Sequence, residues 1–144
     1  MSGDTVTVLL VEDDKVDRMA IRRSFRLLKI GNPVIEVGDG IEALERLRGE
    51  NGAEKIAPPY LILLDLNMPR MNGIEFLTAL RADRLLRRDI VFVLTTSSAE
   101  EDRIRAYDMN VSGYILKENV GQGFLDAVTM LSHFWRVVQF PTPA

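Results

Sequence analysis

Five polar residues lie at the ends of short apolar runs, and their side chains carry the functional groups that phosphoryl transfer uses. Glu12 and Asp13 come directly after the first apolar run, and Asp65 comes directly after the third. Thr95 and Lys117 come at the ends of the fourth and fifth runs. Together they offer a carboxylate nucleophile, oxygen ligands for a cation, a hydroxyl and an ammonium, which can fix and neutralise a transferring phosphoryl group. Asp65 is the candidate nucleophile in this set.

The three acids predict a cation site. Carboxylates that converge in a protein interior repel each other and resist the loss of solvent, and a hard divalent cation resolves both conflicts. Ligation by oxygen alone favours Mg²⁺, Mn²⁺ or Ca²⁺, and a small open site beside a phosphate suits Mg²⁺, for which Mn²⁺ can substitute. A single acid at a strand end is more often a helix cap, so Asp13 or Asp14 could instead cap the helix that starts near Lys15.

The apolar runs predict the elements that position these side chains. Three of the five runs are nearly continuous in apolar residues, which is typical of strands buried on both faces of a parallel sheet. Segments with helical spacing separate the runs, and residues 121–138 form the last and longest of these. The alternation predicts an α/β fold, a doubly wound five-stranded parallel sheet with ligands at the carboxyl ends of its strands. The runs are Val6–Val11, Val34–Val37, Tyr60–Leu64, Ile90–Leu94 and Tyr114–Leu116.

The length, charge and amino-acid composition of the chain limit the classes of function that it can have. The 144 residues suit one domain, with a core at about 5–138, a short tail at 139–144 and no effector domain. A net charge of −3 predicts no direct binding of nucleic acid. The absence of cysteine excludes disulfides and thiolate sites, and no apolar run is long enough for a membrane span, so we expect a cytoplasmic protein. A local basic cluster is interpreted as a solvated surface; it consists of Arg81, Arg84, Arg87 and Arg88.

Four motifs in register resemble the receiver domains of bacterial response regulators, over about residues 5–138. They are Val11–Asp14, Leu64–Pro69 with Met71–Gly73, Leu94–Ser97 and Gly113–Lys117. Narrower features are similar to the small single-domain regulators paired with bacterial phytochromes. These features are the long loop Gly49–Pro59 before the third strand, the Leu-Thr-Thr-Ser string, and Phe134-Trp135 followed by Pro141.

The resemblance implies a flavodoxin-like (βα)5 receiver fold with strand order 2-1-3-4-5. It also implies that a sensor histidine kinase, here a candidate bacteriophytochrome, phosphorylates Asp65. Mg²⁺ would be held by Glu12, Asp13 and Asp65, with the backbone carbonyl of Asn67 as a further ligand.

The resemblance further implies a switch. Thr95 and Lys117 would follow the phosphoryl group, Tyr114 would move inward, and the face made by the fourth helix, fifth strand and fifth helix would change. One departure affects the loop beside this face: Glu118 follows Lys117 where the family usually has proline in a cis peptide. A cis bond before a residue other than proline costs roughly 2.5–4 kcal/mol, so a trans bond and an altered loop are open here.

The last helix has a wider apolar arc than packing on one side of a sheet requires. We expect a homodimer that uses this helix and the tail, which the molecular mass in solution would test. Burial of the same side chains under the C-terminal tail is the alternative. The interface candidates are Met130, Phe134, Val137 and Phe140.

Two other classes of function are weighed against a receiver. A Mg²⁺-dependent phosphohydrolase of the haloacid-dehalogenase type also uses an aspartyl nucleophile after a strand, but it typically needs a second acid two residues later. That position is Asn67, and no cap-domain insertion is visible. A binding module that keeps the fold without phosphorylation would be expected to have a damaged site, whereas all five groups are present.

Overall fold

Five apolar segments form one parallel sheet in the computed structural model, which describes residues 5–66, 68, 70–95 and 105–126. The sheet has the order β2-β1-β3-β4-β5, and every neighbouring pair is parallel. This confirms the predicted doubly wound α/β fold and its strand order. The strands are β1 Thr7–Val11, β2 Val34–Val37, β3 Tyr60–Asp65, β4 Val91–Thr95 and β5 Gly113–Leu116.

Helices connect the strands, and polar caps fix where three of them begin. These helices are α1 Lys15–Leu27, α2 Gly40–Arg48 and α3 Gly73–Ala82. Their N-caps are Asp14, Asp39 and Asn72, whose side chains accept hydrogen bonds from first-turn amides. A short 3₁₀ helix, Lys117–Asn119, follows β5, and residues 105–108 and 120–126 are also helical. None of the helices in the described ranges is long and apolar enough to cross a membrane.

Two apolar cores lie on opposite faces of the sheet, because alternate strand residues point in opposite directions. All six residues of β3 are buried, since this strand lies between β1 and β4 with helices on both faces. The face toward α2 and α3 contains Leu9, Val11, Ile62, Leu64, Val91, Leu47, Phe76, Leu77 and Leu80. The face toward α1 and residues 120–126 contains Val8, Leu10, Leu61, Leu63, Phe92, Ile21, Phe25 and Phe124.

The arginine cluster is only partly the solvated surface that the sequence suggested. Arg84, Arg87 and Arg88 are exposed, but Arg81 is half-buried at the end of α3. Its guanidinium donates hydrogen bonds of 2.7–2.9 Å to backbone carbonyls of the loops that precede β4 and β5. The acceptors are the carbonyl oxygens of Arg87, Asp89, Met109 and Asn110. Arg81 therefore joins α3 to both loops, a role that the surrounding arginines do not indicate.

A half-buried acid, Asp89, lies beside Arg81 at the amino ends of the strands. The hydroxyl of Tyr60 donates a hydrogen bond to Oδ2 of Asp89. Burial raises the pKa of Asp89 to about 6, although the hydrogen bond from Tyr60 and the charge of Arg81 act in the opposite direction. The folded protein therefore holds a proton on Asp89 more tightly than the unfolded chain does.

This shift predicts how stability depends on pH. Between about pH 4 and pH 6 the folded state binds more protons at Asp89 than the unfolded state, so its contribution to stability falls as pH rises. We expect the free energy of unfolding of the wild type, relative to Asp89→Asn, to fall by about 1–3 kcal/mol between pH 4 and pH 7. Urea unfolding at both pH values measures this difference, with the exposed Asp108→Asn as the control variant. Parallel pH curves for the wild type and Asp89→Asn would contradict the assignment.

Candidate functional site

Three acids converge at the carboxyl edge of the sheet because β1 and β3 are adjacent. Val11 pairs with Leu64, so Glu12 and Asp65, the next residue of each segment, lie side by side. Glu12, Asp13 and Asp65 each offer an oxygen atom, and these oxygens all lie within 4.8 Å of one another. Glu12 and Asp65 are buried, whereas Asp13 is exposed at the rim. The site is therefore closed on the sheet side and open to solvent beside Asp13.

The consecutive acids in the turn after β1 make different contacts. The side chain of Asp14 accepts hydrogen bonds from the amides of Val16 and Asp17, at 2.8 and 3.2 Å, and so caps α1. The carboxylate of Glu12 accepts a hydrogen bond from the amide of Asp14, at 3.2 Å. Because Asp14 is the cap, the carboxylate of Asp13 stays available to the acidic cluster. The alternative that Asp13 caps this helix is wrong.

Lys117 brings a positive charge to the same edge from the end of β5. Its Nζ lies 2.6 Å from Oε1 of Glu12 and 3.7 Å from Oδ1 of Asp65. It lies 2.7 Å from Oδ2 of Asp17, in the first turn of α1. The peptide between Lys117 and Glu118 is trans, since Pro58–Pro59 is the only cis peptide in the described ranges. The lysine thus reaches the acids although the proline usual in the resembled family is missing.

The described residues of this site carry more negative than positive charge, and burial makes that imbalance costly. Burial raises the pKa of Glu12 to about 7, the Lys117 ammonium opposes this shift, and the charge of Asp65 adds to it. Burial by itself lowers the pKa of Lys117, but hydrogen bonds to Asp17 and Glu12 outweigh it, and the pKa lies above its usual value. Among the residues that the structure describes, the ammonium of Lys117 thus faces several carboxylates. A divalent cation fits the oxygen donors of Glu12, Asp13 and Asp65, and it would supply the missing charge.

The loop after Asp65 is held by a close approach of α3. The amide of Gly73 donates a hydrogen bond to the carbonyl of Leu66, at 2.9 Å. A Cβ atom at Gly73 would lie 2.6 Å from Cα of Leu66 and 2.8 Å from the carbonyl oxygen of Asp65. Asn72 and Glu75 form a capping box immediately beside this contact. Only glycine lets the helix begin this close to the candidate nucleophile.

A second contact holds the same loop to α2. Nε of Arg70 donates a hydrogen bond to Oδ2 of Asp39, at 2.6 Å, and the same carboxylate caps α2 through Oδ1. Arg70 adopts a left-handed backbone conformation with a φ of 61°. This pair was not predicted. The sequence offers only a weak signal for it, an acid at the start of a helix and a basic residue in a loop that follows a distant strand.

The structure describes some of the remaining predicted site residues and not others. Thr95 is the last residue of β4 and pairs with Leu116 in β5, but its side chain lies outside the description. Tyr114 is half-buried against the core that faces α2 and α3, and its ring centroid lies 5.7 Å from that of the exposed Tyr107. Asn67 and the interface candidates lie outside the described residues; those candidates are Met130, Phe134, Val137 and Phe140.

Comparison with known proteins identifies the class that this fold and site define. A family model of the response regulator receiver domain matches residues 8–129, so the chain belongs to the family of response regulator receiver domains.

Three members of the family are similar to this chain over most of its length. Response regulator Rcp1 of Synechocystis sp. is 34% identical over 134 residues, which are 93% of this chain and 91% of that protein. The phosphorylated cyanobacterial phytochrome response regulator RcpA is 34% identical with a TM-score of 0.73, over 96% of this chain and 99% of that one. The bacteriophytochrome response regulator RtBRR is 37% identical with a TM-score of 0.75, over 96% and 84% of the two chains. The chain is thus related to phytochrome response regulators.

The glycine contact beside Asp65 predicts a measurable loss of stability. Gly73→Ala should lower the free energy of unfolding by about 1–3 kcal/mol, because its new methyl group meets backbone atoms that cannot move without shifting the loop. Urea unfolding measures the change. Gly31→Ala is the matched control, since nothing lies within 4 Å of a Cβ at that position. Equal stability of the two variants would show that the close approach does not constrain the loop.

Proposed function

We propose that this receiver domain accepts a phosphoryl group on Asp65 from a sensor histidine kinase in a Mg²⁺-dependent reaction. The observation that carries the proposal is the position of Asp65, buried between the acids Glu12 and Asp13 and the ammonium of Lys117. Two related structures support it. One is the phosphorylated form of RcpA, and the other is a Mn²⁺-bound form of Rcp1.

The proposed reaction is a direct transfer to the carboxylate. An oxygen of Asp65 attacks the phosphorus atom of a phosphohistidine, and the P–O bond forms as the P–N bond breaks. The electron pair of the P–N bond stays on the imidazole nitrogen, and the product on this chain is an acyl phosphate. Glu12, Asp13, Asp65 and the backbone carbonyl of Asn67 would hold the cation. When bound, Mg²⁺ would neutralise the charge on the phosphoryl oxygens.

Residues on the other side of the site complete the proposal. The ammonium of Lys117, 3.7 Å from Asp65, would donate to a phosphoryl oxygen that projects from this carboxylate. The hydroxyl of Thr95 would follow the same phosphoryl group. Tyr114, half-buried beside Tyr107, would then change its packing and alter the face that a partner reads. Phosphorylation thus favours one of two arrangements that exist beforehand.

Mass measurement after incubation with acetyl phosphate tests the phosphoryl chemistry. We expect the wild type to gain one phosphoryl group in the presence of Mg²⁺ and none after removal of the cation. Asp65→Asn should gain none in either condition, because its amide is not a nucleophile for this reaction. The exposed Asp108→Asn is the matched control and should be modified like the wild type.

Failure to observe an adduct has two interpretations that a second measurement separates. Fast hydrolysis of the acyl phosphate leaves a site that still forms a stable complex with beryllofluoride and Mg²⁺. A fold that only binds a partner forms no such complex, which would overturn the proposal. Turnover of a model phosphomonoester, dependent on Asp65, would instead indicate a phosphohydrolase.

We also propose that the kinase partner is a bacterial phytochrome. The similarity to two regulators described as phytochrome and bacteriophytochrome response regulators supports this partner. An autophosphorylated bacteriophytochrome kinase from the same organism should transfer its phosphoryl group at least about tenfold faster than an unrelated sensor kinase, a preference worth about 1.4 kcal/mol. Time courses of transfer to the wild type measure both rates, with Asp65→Asn as the blank. Equal rates from the two kinases would contradict this assignment.

A further inference from the structure

Glu12 has two partners at the site, and one carboxylate cannot serve both equally. It belongs to the group of acids whose oxygens converge within 4.8 Å, and its Oε1 also lies 2.6 Å from the ammonium of Lys117. A divalent cation held by this group would share the carboxylate with a positively charged neighbour. Repulsion between cation and ammonium opposes that arrangement, and it is strong because the Glu12 side chain is only 1% exposed. Lys117 therefore needs another acceptor when a cation is bound.

Asp17 offers that acceptor from outside the acidic group. Its Oδ2 lies 2.7 Å from Nζ of Lys117, and its side chain is 35% exposed. A lysine ammonium has three N–H donors, so contacts with Glu12 and Asp17 leave one for the direction of Asp65, 3.7 Å away. Asp17 can keep its bond to Lys117 whatever Glu12 binds.

The start of α1 fixes Asp17 in this position. The amide of Asp17 donates a hydrogen bond to Oδ1 of Asp14, the N-cap of the helix, at 3.2 Å. The same turn contains Asp13 of the acidic group. The capped start of α1 thus has an acid of the metal-binding group directly before its N-cap and a lysine-facing acid in its first turn.

We propose that Asp17 is a positioning residue, which holds the ammonium of Lys117 beside Asp65 and thereby releases Glu12 to the divalent cation. The inference rests on the proposed function, since it assigns a role toward the cation of that same site. Without Asp17, the acceptors of Lys117 among the described residues are Glu12 and Asp65, both members of the acidic group. The lysine then competes with the cation for these carboxylates, and one nearby negative charge is lost. Both effects weaken cation binding.

Calorimetric titration of the unphosphorylated full chain with Mg²⁺, and separately with Mn²⁺, tests the inference. Asp17→Asn should raise the Kd of the cation by about fivefold or more. Asp14→Asn is the matched control, because it removes one charge from the same turn while asparagine still caps the helix. It should raise the Kd clearly less than Asp17→Asn does. Asp17→Glu, which restores a carboxylate, should recover part of the affinity.

A double-mutant cycle distinguishes an effect through Lys117 from a general effect of charge or folding. In a Lys117→Met background, Asp17→Asn should change the Kd no more than Asp14→Asn does, because the ammonium on which Asp17 acts is gone. Persistence of the full Asp17→Asn effect in that background would overturn the inference.

The outcomes separate the inference from the proposed function. A wild type that binds neither cation would overturn the proposed cation-dependent function, and this inference with it. A wild type that binds the cation, with equal Kd values for Asp17→Asn and Asp14→Asn, would overturn the inference alone. Urea unfolding of each variant accompanies the titrations, so that a loss of folded protein is not counted as a loss of affinity.

Discussion

The site depends on one electrostatic imbalance among the described residues, in which the buried carboxylates of Glu12 and Asp65 share the ammonium of Lys117. Glu12 and Asp65 lie side by side because β1 and β3 are paired in register. Lys117 contacts Glu12 closely and Asp65 at a longer distance, so it cannot neutralise both. The repulsion between the two carboxylates is costly while no cation is bound. The same arrangement favours the binding of a cation. The fit of this site to a divalent cation therefore follows from the sheet register and from these three side chains.

The polar side chains at the two ends of the sheet make different kinds of contact. At the carboxyl ends, carboxylate oxygens of three acids converge, and the group is open to solvent at Asp13. At the amino ends, hydrogen bonds join buried and half-buried polar side chains to backbone carbonyls and to each other. Arg81 donates to four backbone carbonyls, and Tyr60 donates to Asp89. The hydrogen bonds at the amino ends thus join α3 to the loops before β4 and β5, whereas the candidate site lies at the opposite edge.

Sequence patterns predict the location of site residues that follow strands better than the contacts of residues on helices or in loops. Glu12, Asp65 and Lys117 could be placed at one edge because a parallel sheet brings all its strand ends together. The role of Asp17 could not be predicted in the same way, because it depends on how α1 is rotated against β5. An acid in the first turn of a helix is already explained by the helix dipole, so it gives no separate signal. Arg81 was misread for a similar reason, since its acceptors are carbonyls of loops distant in the sequence.

The contacts of α1 connect the two halves of the site. Asp13 directly precedes the N-cap of α1 and belongs to the acidic group, and Asp17 in the first turn contacts Lys117, so the start of α1 adjoins both the cation side and the lysine side. A phosphoryl group on Asp65 would add negative charge near Lys117, whose Nζ lies 3.7 Å from this carboxylate. Lys117 could then use its third N–H donor without leaving Asp17. Its contact with Asp17 does not involve the carboxylate of Asp65 and can persist when a phosphoryl group is added. Such an arrangement favours a response by a change of hydrogen-bond partner, with α1 as the fixed reference.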